Sequence, residues 1–186
     1  MVKNVPKGRP SSAAAILDTA LRLLDDGATV SLDSVAQAAG LTKPGLMYHF
    51  PTKAALMDAL VDHVMDSLEQ ALRTRLPMPL EKASATERIR AYLQWGLEYP
   101  HRRSDLVMLS DPKLADRMTA RWAERFHTWI DVPADMPAPE RTRLHAVRLL
   151  ADGAWFAGTT DTFPVPDDDR PDLLRFALEM LEGPAS

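Results

Sequence analysis

The chain contains no cysteine among its 186 residues. This absence excludes disulfide bonds, thiol nucleophiles and thiolate metal sites. No uninterrupted apolar run approaches the roughly 18 residues that a membrane-spanning helix needs, and the N-terminus lacks the apolar stretch of a secretory signal. We therefore expect a protein that stays in the cytoplasm and has no membrane partner.

Sequence motifs of several enzyme classes are also absent. The chain has no glycine-rich phosphate loop, no Gly-x-Ser-x-Gly elbow and no His-Glu-x-x-His pair. Its five histidines include no two that stand three or four residues apart, the helical spacing that places two metal ligands on one face. The sequence thus predicts a protein that is not an enzyme and that holds no metal or cofactor.

The composition is that of a globular protein, with 46% hydrophobic and 26% charged residues. The net charge of −4 is unevenly distributed. Residues 1–53 carry six basic and four acidic side chains, whereas the remainder carries 16 basic and 22 acidic ones. The basic N-terminal part suits contact with phosphate, and residues 1–10 form a basic arm in which Lys7 and Arg9 are candidate DNA contacts.

Apolar residues recur at helical spacing along the chain, while alternating strand patterns are missing. Ser31 is a candidate N-cap for a short second helix that Gly40 can end. Thr42 is a candidate N-cap for a third short helix, and Pro44 is tolerated in its first turn because the amide that proline lacks would have no partner there.

A longer helix is predicted from Thr52 to the prolines at 77 and 79. Its carboxylates, which we expect to form a solvated face, are Asp58, Asp62, Asp66 and Glu69. Four further helices are predicted at about 86–99, 112–130, 139–160 and 171–181, the second of them capped by Asp111.

These elements predict an all-α fold with a three-helix N-terminal lobe of the helix-turn-helix type and a larger C-terminal helical bundle lobe. The predicted segments are the arm 1–10, the helix-turn-helix domain 11–53, a connecting helix 54–76 and a C-terminal domain 77–186. Small residues at Ala36 and Ala39 let the second helix cross the third closely, which leaves the outer face of the third helix free to enter a DNA major groove.

The run Ser31–Lys53, SLDSVAQAAGLTKPGLMYHFPTK, closely resembles the N-terminal signature of the tetracycline repressor (TetR) family of bacterial transcription regulators. The resemblance covers residues 11 to about 60. It implies a homodimer whose N-terminal lobes bind a palindromic operator in double-stranded DNA. It also implies C-terminal lobes that dimerise and hold a small-molecule effector, whose identity is unknown.

The resemblance also implies individual DNA contacts. Those carried over by position are Ser31 and Thr42 as caps and phosphate contacts, Lys43, Pro44 and Gly45 as the tip of the recognition helix, and Tyr48, His49 and Lys53 as groove-edge contacts. Met47 stands where the family commonly has an aromatic residue, and methionine cannot donate the hydrogen bond to phosphate that the family usually makes there. We expect Gly45 to reflect close approach of DNA, and this tip to read bases mainly through shape and phosphate contacts.

The C-terminal part is rich in aromatic residues. A candidate effector pocket would be lined by some of Trp95, Met108, Trp122, Phe126 and Trp155, with an ordinary core as the alternative. The family's dimer interface would fall on the last two helices. Its apolar residues in this chain would be Leu144, Val147, Leu150, Ala151, Ala154, Trp155 and Gly158, with Leu173, Leu174, Ala177, Met180 and Leu181.

The favoured function is a repressor that a small molecule releases from its operator. One alternative is a helical small-molecule-binding protein or enzyme that uses the aromatic lobe. Another is a DNA-binding protein with a filled core that responds to no ligand.

Overall fold

The computed structural model describes residues 12–183, which are helical and contain no strand. The predicted all-α fold is confirmed. The predicted arm, with Lys7 and Arg9, lies outside the described residues. The α-helices are α1 (Ser12–Asp25), α2 (Leu32–Ala38), α3 (Lys43–His49), α4 (Lys53–Arg73), α5 (Ala85–Glu98), α6 (Ala115–Ile130), α7 (Ala138–Thr160) and α8 (Arg170–Glu182), with 3-10 segments at Leu80–Lys82 and Arg103–Leu109.

The starts of the short helices follow from their capping residues. The Ser31 hydroxyl accepts the amide N–H of Ser34 at 3.0 Å, and the Ser34 hydroxyl accepts the Ser31 N–H in return. The Thr42 hydroxyl accepts the amide N–H of Gly45 at 3.2 Å. Between them Gly40 has φ +66°, a left-handed conformation in which a side chain is strained.

Helix α4 carries the longest apolar row of the N-terminal half. Its buried residues are Leu56, Met57, Leu60, Val61, Val64, Met65, Leu68 and Leu72. The helix contacts α1 of the N-terminal lobe as well as α5, α6 and the 3-10 segment Arg103–Leu109. It therefore belongs to both halves of the molecule, and the predicted register of its apolar side is correct.

The expected solvated face is wrong for three of the four acidic residues of α4. The side chains of Asp58, Asp62 and Glu69 are 16%, 33% and 21% exposed, whereas that of Asp66 is 70% exposed. All four pair with arginines of α6. Nε of Arg121 lies 2.8 Å from a carboxylate oxygen of Asp62, a terminal nitrogen of Arg125 lies 2.8 Å from Asp66, and Arg117 binds Asp58 through two nitrogens. Arg125 also binds Glu69 at 2.9 Å. The first three pairs are each 59 residues apart, so α4 and α6 run parallel and in register.

The C-terminal half is built around α5, which packs mainly on α7. The two helices cross closely at Gly96, where an added Cβ would lie 3.0 Å from the carbonyl oxygen of Ala151. A side chain at this position would crowd the backbone of α7, so glycine favours the close crossing. The prediction that Asp111 caps a helix starting at 112 is wrong, because α6 begins at Ala115 and Asp111 accepts the N–H of Lys113 in a turn before it.

None of the helices in the described range is both long enough and apolar enough to cross a membrane. The two longest, α4 and α7, each carry several charged residues.

We expect Asp62→Asn to weaken the α4–α6 contact. The hydrogen bond from Arg121 holds the pKa of Asp62 below its usual value of 3.8. The carboxylate therefore stabilises the fold above about pH 4, and this stabilisation is lost as the pH falls through the lowered pKa. Urea unfolding at pH 7 should show a free energy of unfolding lower by about 1 kcal/mol, and a smaller loss between pH 4 and pH 2 than in the wild type.

The matched control is Asp135→Asn, which alters an exposed carboxylate in the loop before α7. Equal acid sensitivity in the Asp62→Asn variant and the wild type would show that the pairing of Asp62 with Arg121 contributes nothing measurable.

Candidate functional site

The outer face of α3 is open to solvent, and its inner face is not. Tyr48 is 86% exposed and Met47 is 39% exposed, while Leu46 is fully buried and Phe50, just past the helix, is nearly so. Lys43 and Pro44 are also exposed. The seven-residue helix α3 is thus held in place by the buried apolar side chains of its inner face, and its outer face presents polar and apolar groups to solvent.

The two predicted cap residues differ in what they can offer a phosphate. Both hydroxyls cap their helices as predicted. The Ser31 hydroxyl is half-buried and also donates to the Ser34 oxygen at 3.0 Å. Thr42 is exposed and accepts from Gly45, so its hydroxyl hydrogen can still point outward. Thr42 is therefore better placed than Ser31 for a phosphate.

Lys43 stands at the first position of α3, with Nζ 3.0 Å from a carboxylate oxygen of Asp33 on α2. Both side chains are at least half exposed, and such surface pairs contribute little to stability. The ammonium of Lys43 can therefore exchange this carboxylate for a phosphate at small cost. His49, at the last position, is half-buried and makes an edge contact with the Tyr48 ring, with centroids 5.3 Å apart.

Gly45 is the third residue of α3. A Cβ at this position would lie 3.2 Å from Oγ1 of Thr42, the atom that accepts the Gly45 N–H. At the start of α4 the equivalent residue is Ala55, whose N–H is accepted by Thr52 in the same way, so such a cap alone does not require glycine. Close approach of DNA to this backbone stays a prediction.

Lys53, another predicted DNA contact, has an intramolecular partner. Its ammonium binds the carboxylate of Asp111, whose side chain is only 10% exposed. The hydrogen bond from Lys53, with backbone N–H groups of Lys113 and Leu114, holds the pKa of Asp111 below its usual range. Lys53 thus joins the start of α4 to the turn before α6, and a phosphate would have to compete with a buried carboxylate for it.

Two further contacts join α1 to the rest of the chain. Oδ1 of Asp18 lies 2.8 Å from Nε2 of His63 on α4. The carboxylate of Asp25, at the end of α1, accepts the amide N–H of Ser104 at 2.8 Å. With the Lys53 pair, these contacts connect the helix-turn-helix unit to α4 and to the segment between α5 and α6.

A cavity of about 220 Å³ lies where these elements meet. It is enclosed by α1, α4, α5, α6 and the segment after α5. Its lining residues are Asp18, Leu21, His63, Val64, Ser67, Leu68, Trp95, Tyr99, Arg102, Ser104, Asp105 and Trp122. The wall combines three aromatic rings with several charged and hydroxyl groups, as small-molecule sites commonly do.

The five predicted pocket residues do not share one pocket. Trp95 and Trp122 line the cavity. Trp122 also lines an open groove between α6 and α7, together with Phe126 and Trp155. Met108 lines neither and is buried in the core, because the segment that carries it packs that side chain inward.

Stacked rings separate the cavity from the groove. The Trp122 and Trp155 rings are nearly parallel, with centroids 5.8 Å apart. In the groove the hydroxyl of Tyr92 donates to Asp152 at 2.7 Å, and burial, with the nearby Asp152, raises the pKa of Tyr92 well above its usual value. The Tyr92 hydroxyl is therefore a permanent donor there.

The sequence prediction missed the polar half of the cavity wall. His63 and Ser67 lie beside the apolar row of α4 with one helical turn between them, which is a recognisable signal for a polar cavity wall. The sequence contains no such signal for Asp18, because its partner, His63, lies 45 residues further along the chain.

The dimer-interface prediction is wrong for the residues that the chain itself buries. These are Leu144, Val147 and Ala151 on α7, which packs on α5 and α8, together with Ala177 and Leu181 on α8. The other named residues are partly exposed and stay a prediction: Leu150, Ala154, Trp155, Gly158, Leu173, Leu174 and Met180. The large apolar residues that remain exposed on the last two helices are Leu149, Phe156 and Phe176. Periodicity identifies an apolar side but does not say whether the same chain or a second copy covers it.

Among residues 12–183, no group of three or more His, Asp or Glu side chains is arranged to hold a metal ion. The candidate site therefore consists of the α3 face and the inter-lobe cavity.

Comparison with known protein families identifies the family of this chain. Residues 16–60 match the family described as bacterial regulatory proteins, tetR family. Residues 86–182, more than half of the chain, match the tetracyclin repressor-like C-terminal domain. The chain belongs to the TetR family. This membership agrees with the prediction of a regulator and not an enzyme.

Individual members share moderate similarity with this TetR-family chain. The transcriptional regulator EthR of Mycobacterium tuberculosis is 33% identical over 87 residues, which cover 42% of this chain and 40% of EthR. The chain thus matches less than half the length of that relative. EthR of Mycolicibacterium smegmatis is 28% identical over 151 residues, covering 74% of this chain and 68% of EthR.

The fold is also that of solved TetR-family proteins. One is AibR, solved in complex with isovaleryl coenzyme A and operator DNA. It superposes with a TM-score of 0.59 at 18% identity, covering 89% of this chain and 97% of AibR.

We predict that the Lys53–Asp111 pair is a measurable link between the helix-turn-helix unit and the C-terminal half. Lys53→Ala and Asp111→Asn should each lower the free energy of unfolding by about 1 kcal/mol, because one charge is partly buried. The double variant should lose little more than either single one, since both remove the same contact. Chemical denaturation measures all four proteins, and strictly additive losses would contradict the link.

Proposed function

We propose that this TetR-family chain is a sequence-specific DNA-binding regulator of transcription that acts in the bacterial cytoplasm. The observation that carries the proposal is the face of α3, which projects Lys43, Pro44, Met47 and Tyr48 into solvent from a buried anchor. The ammonium of Lys43 and the Thr42 hydroxyl would contact phosphates. Pro44 and Met47, which cannot donate hydrogen bonds, would contact base edges through apolar surface.

A homodimer would place two such helices on one duplex. Leu149 and Phe156 on α7, and Phe176 on α8, are each at least half exposed. Gly153 lies between the first two, and no atom lies within 4 Å of a Cβ placed on it, so a second helix could approach closely there. Two-fold packing of these helices would set the α3 helices at half-sites about 34–36 Å apart on a palindromic operator.

The cavity is the proposed effector site. Its presence favours a ligand-responsive regulator over a DNA-binding protein with a filled core. The alternative of a small-molecule-binding protein or enzyme without DNA is disfavoured by family membership and by the exposed α3 face. The structure of AibR, with both a ligand and operator DNA, supports the same combination here.

The position of the cavity suggests how a bound effector would release the protein from DNA. Asp18 and Ser104 line it, and both take part in contacts that hold α1. A molecule that binds more tightly when these contacts are rearranged would shift the spacing of the two helix-turn-helix units. The size of the effect is limited by the ligand's preference for the rearranged state.

A mobility-shift assay with DNA from beside the chain's own gene tests DNA binding, and Lys43→Ala tests its site. We expect this variant to bind specific and nonspecific DNA more weakly and to lower the slope of log affinity against log salt by about one per subunit. Lys82→Ala, an exposed lysine beyond the end of α4, is the matched control. An unchanged slope for Lys43→Ala would remove Lys43 from the DNA interface.

The dimer proposal predicts that Leu149→Glu produces monomers at micromolar concentration. A buried carboxylate at the interface would be strongly unfavourable. Leu109→Glu is a matched control, since Leu109 and Leu149 are 55% and 58% exposed. Light scattering reports the mass of each protein. A wild type that is itself monomeric, or a variant that stays dimeric, would contradict the assignment.

A further inference from the structure

The charges on the cavity wall indicate what kind of molecule it can hold. Two carboxylates line it from separate elements, Asp18 from α1 and Asp105 from the segment after α5. The Asp105 side chain is only 16% exposed and accepts the backbone N–H of Arg102 at 3.1 Å. Asp18 faces His63, which is charged only when protonated.

Apart from His63 and His101, the basic side chains nearest the cavity are poorly placed to neutralise these carboxylates. Arg121 and Arg125 flank Trp122 in sequence, but both are bound to the acidic row of α4. Arg102 lines the cavity but is exposed, and among the described residues its guanidinium makes no ion pair. A long exposed arginine can turn into solvent, whereas Asp105 is held in place by its own backbone contact. His101 Nδ1 lies 3.4 Å from Asp105 without a hydrogen bond.

The apolar part of the wall is aromatic. Trp95, Tyr99 and Trp122 line it, and the Trp95 and Tyr99 rings lie 5.8 Å apart. Indole faces attract cations as well as flat apolar groups. This part of the wall therefore suits a ligand that combines a flat apolar body with a cationic group.

We propose that this cavity binds a small organic monocation with an aromatic body. The cationic group would lie near Asp105 and Asp18, and the aromatic body against Trp95 and Trp122. The volume of about 220 Å³ suits a molecule of one or two rings. The inference rests on the proposed function, because it names the ligand class of the proposed effector site. Pairing of the ligand with Asp18 would compete with His63 and so loosen the contact between α1 and α4.

Three probes with the same body separate charge from shape. They are 4-phenylbutylamine, 4-phenylbutanol and 4-phenylbutanoate, which differ only in a cationic, neutral or anionic head group. Calorimetric titration of the full chain should show the amine binding at least about tenfold more tightly than the alcohol, and the carboxylate binding most weakly. An equal or tighter affinity for the carboxylate, or no binding of any probe at millimolar concentration, would overturn the proposal.

Substitutions locate the preference in the cavity. Asp105→Asn and Asp18→Asn keep the shape and the accepting oxygen but remove the charge, so each should reduce the amine-to-alcohol ratio, and the double variant should bring it close to one. The matched control, Asp135→Asn in an exposed loop, should leave the ratio unchanged. A ratio that survives in the double variant would show that the amine binds elsewhere.

DNA binding is measured separately, in mobility shifts without any probe. If the chain binds DNA but does not prefer the amine, only the inference about the ligand is contradicted. If it prefers the amine but does not bind DNA, only the proposed function is contradicted. When both hold, millimolar amine should weaken the complex with DNA in the wild type and not in the double variant.

Discussion

Burial of α4 by both halves of the chain is the interaction on which the rest of the structure depends. Its apolar row, from Leu56 to Leu72, packs against α1 on the N-terminal side and against α5 and α6 on the other. Its acidic row is bound by arginines of α6. The start of α4 follows α3 after three residues, so the direction of α4 sets the direction of the helix proposed to read DNA.

The role proposed for the cavity depends on its position relative to α4. It lies along α4, between that helix, α1 and the aromatic part of α5 and α6. The contacts that a bound molecule would meet first, Asp18 with His63 and Ser104 with Asp25, are those that hold α1. In the proposed function, a change in the cavity would alter the placement of α3 without unfolding either half, because packed interfaces tend to switch between discrete arrangements.

Local signals were sufficient to predict the helices. Periodicity and capping residues such as Ser31, Thr42 and Thr52 placed most helix ends within a few residues, because those signals act over one or two turns. They could not reveal side-chain partners. The acidic row of α4 looks solvated when its own helix is considered alone, and only the pairing with arginines 59 residues away shows otherwise.

The same limit applies at the candidate sites. Lys53 resembles a DNA contact in the sequence, yet its neighbour in space is Asp111. The sequence shows that the C-terminal part is rich in aromatic residues. It does not show which of them line the core, the cavity or the groove, because that depends on which helices meet.

Selection of bound duplexes from a random pool by the purified full chain tests the central claim most directly. The account predicts recovery of palindromic sites whose half-sites lie about one helical turn apart, with affinity that falls as salt rises. Recovery of no enriched sequence at low salt would contradict the assignment of the α3 face as a surface that reads DNA.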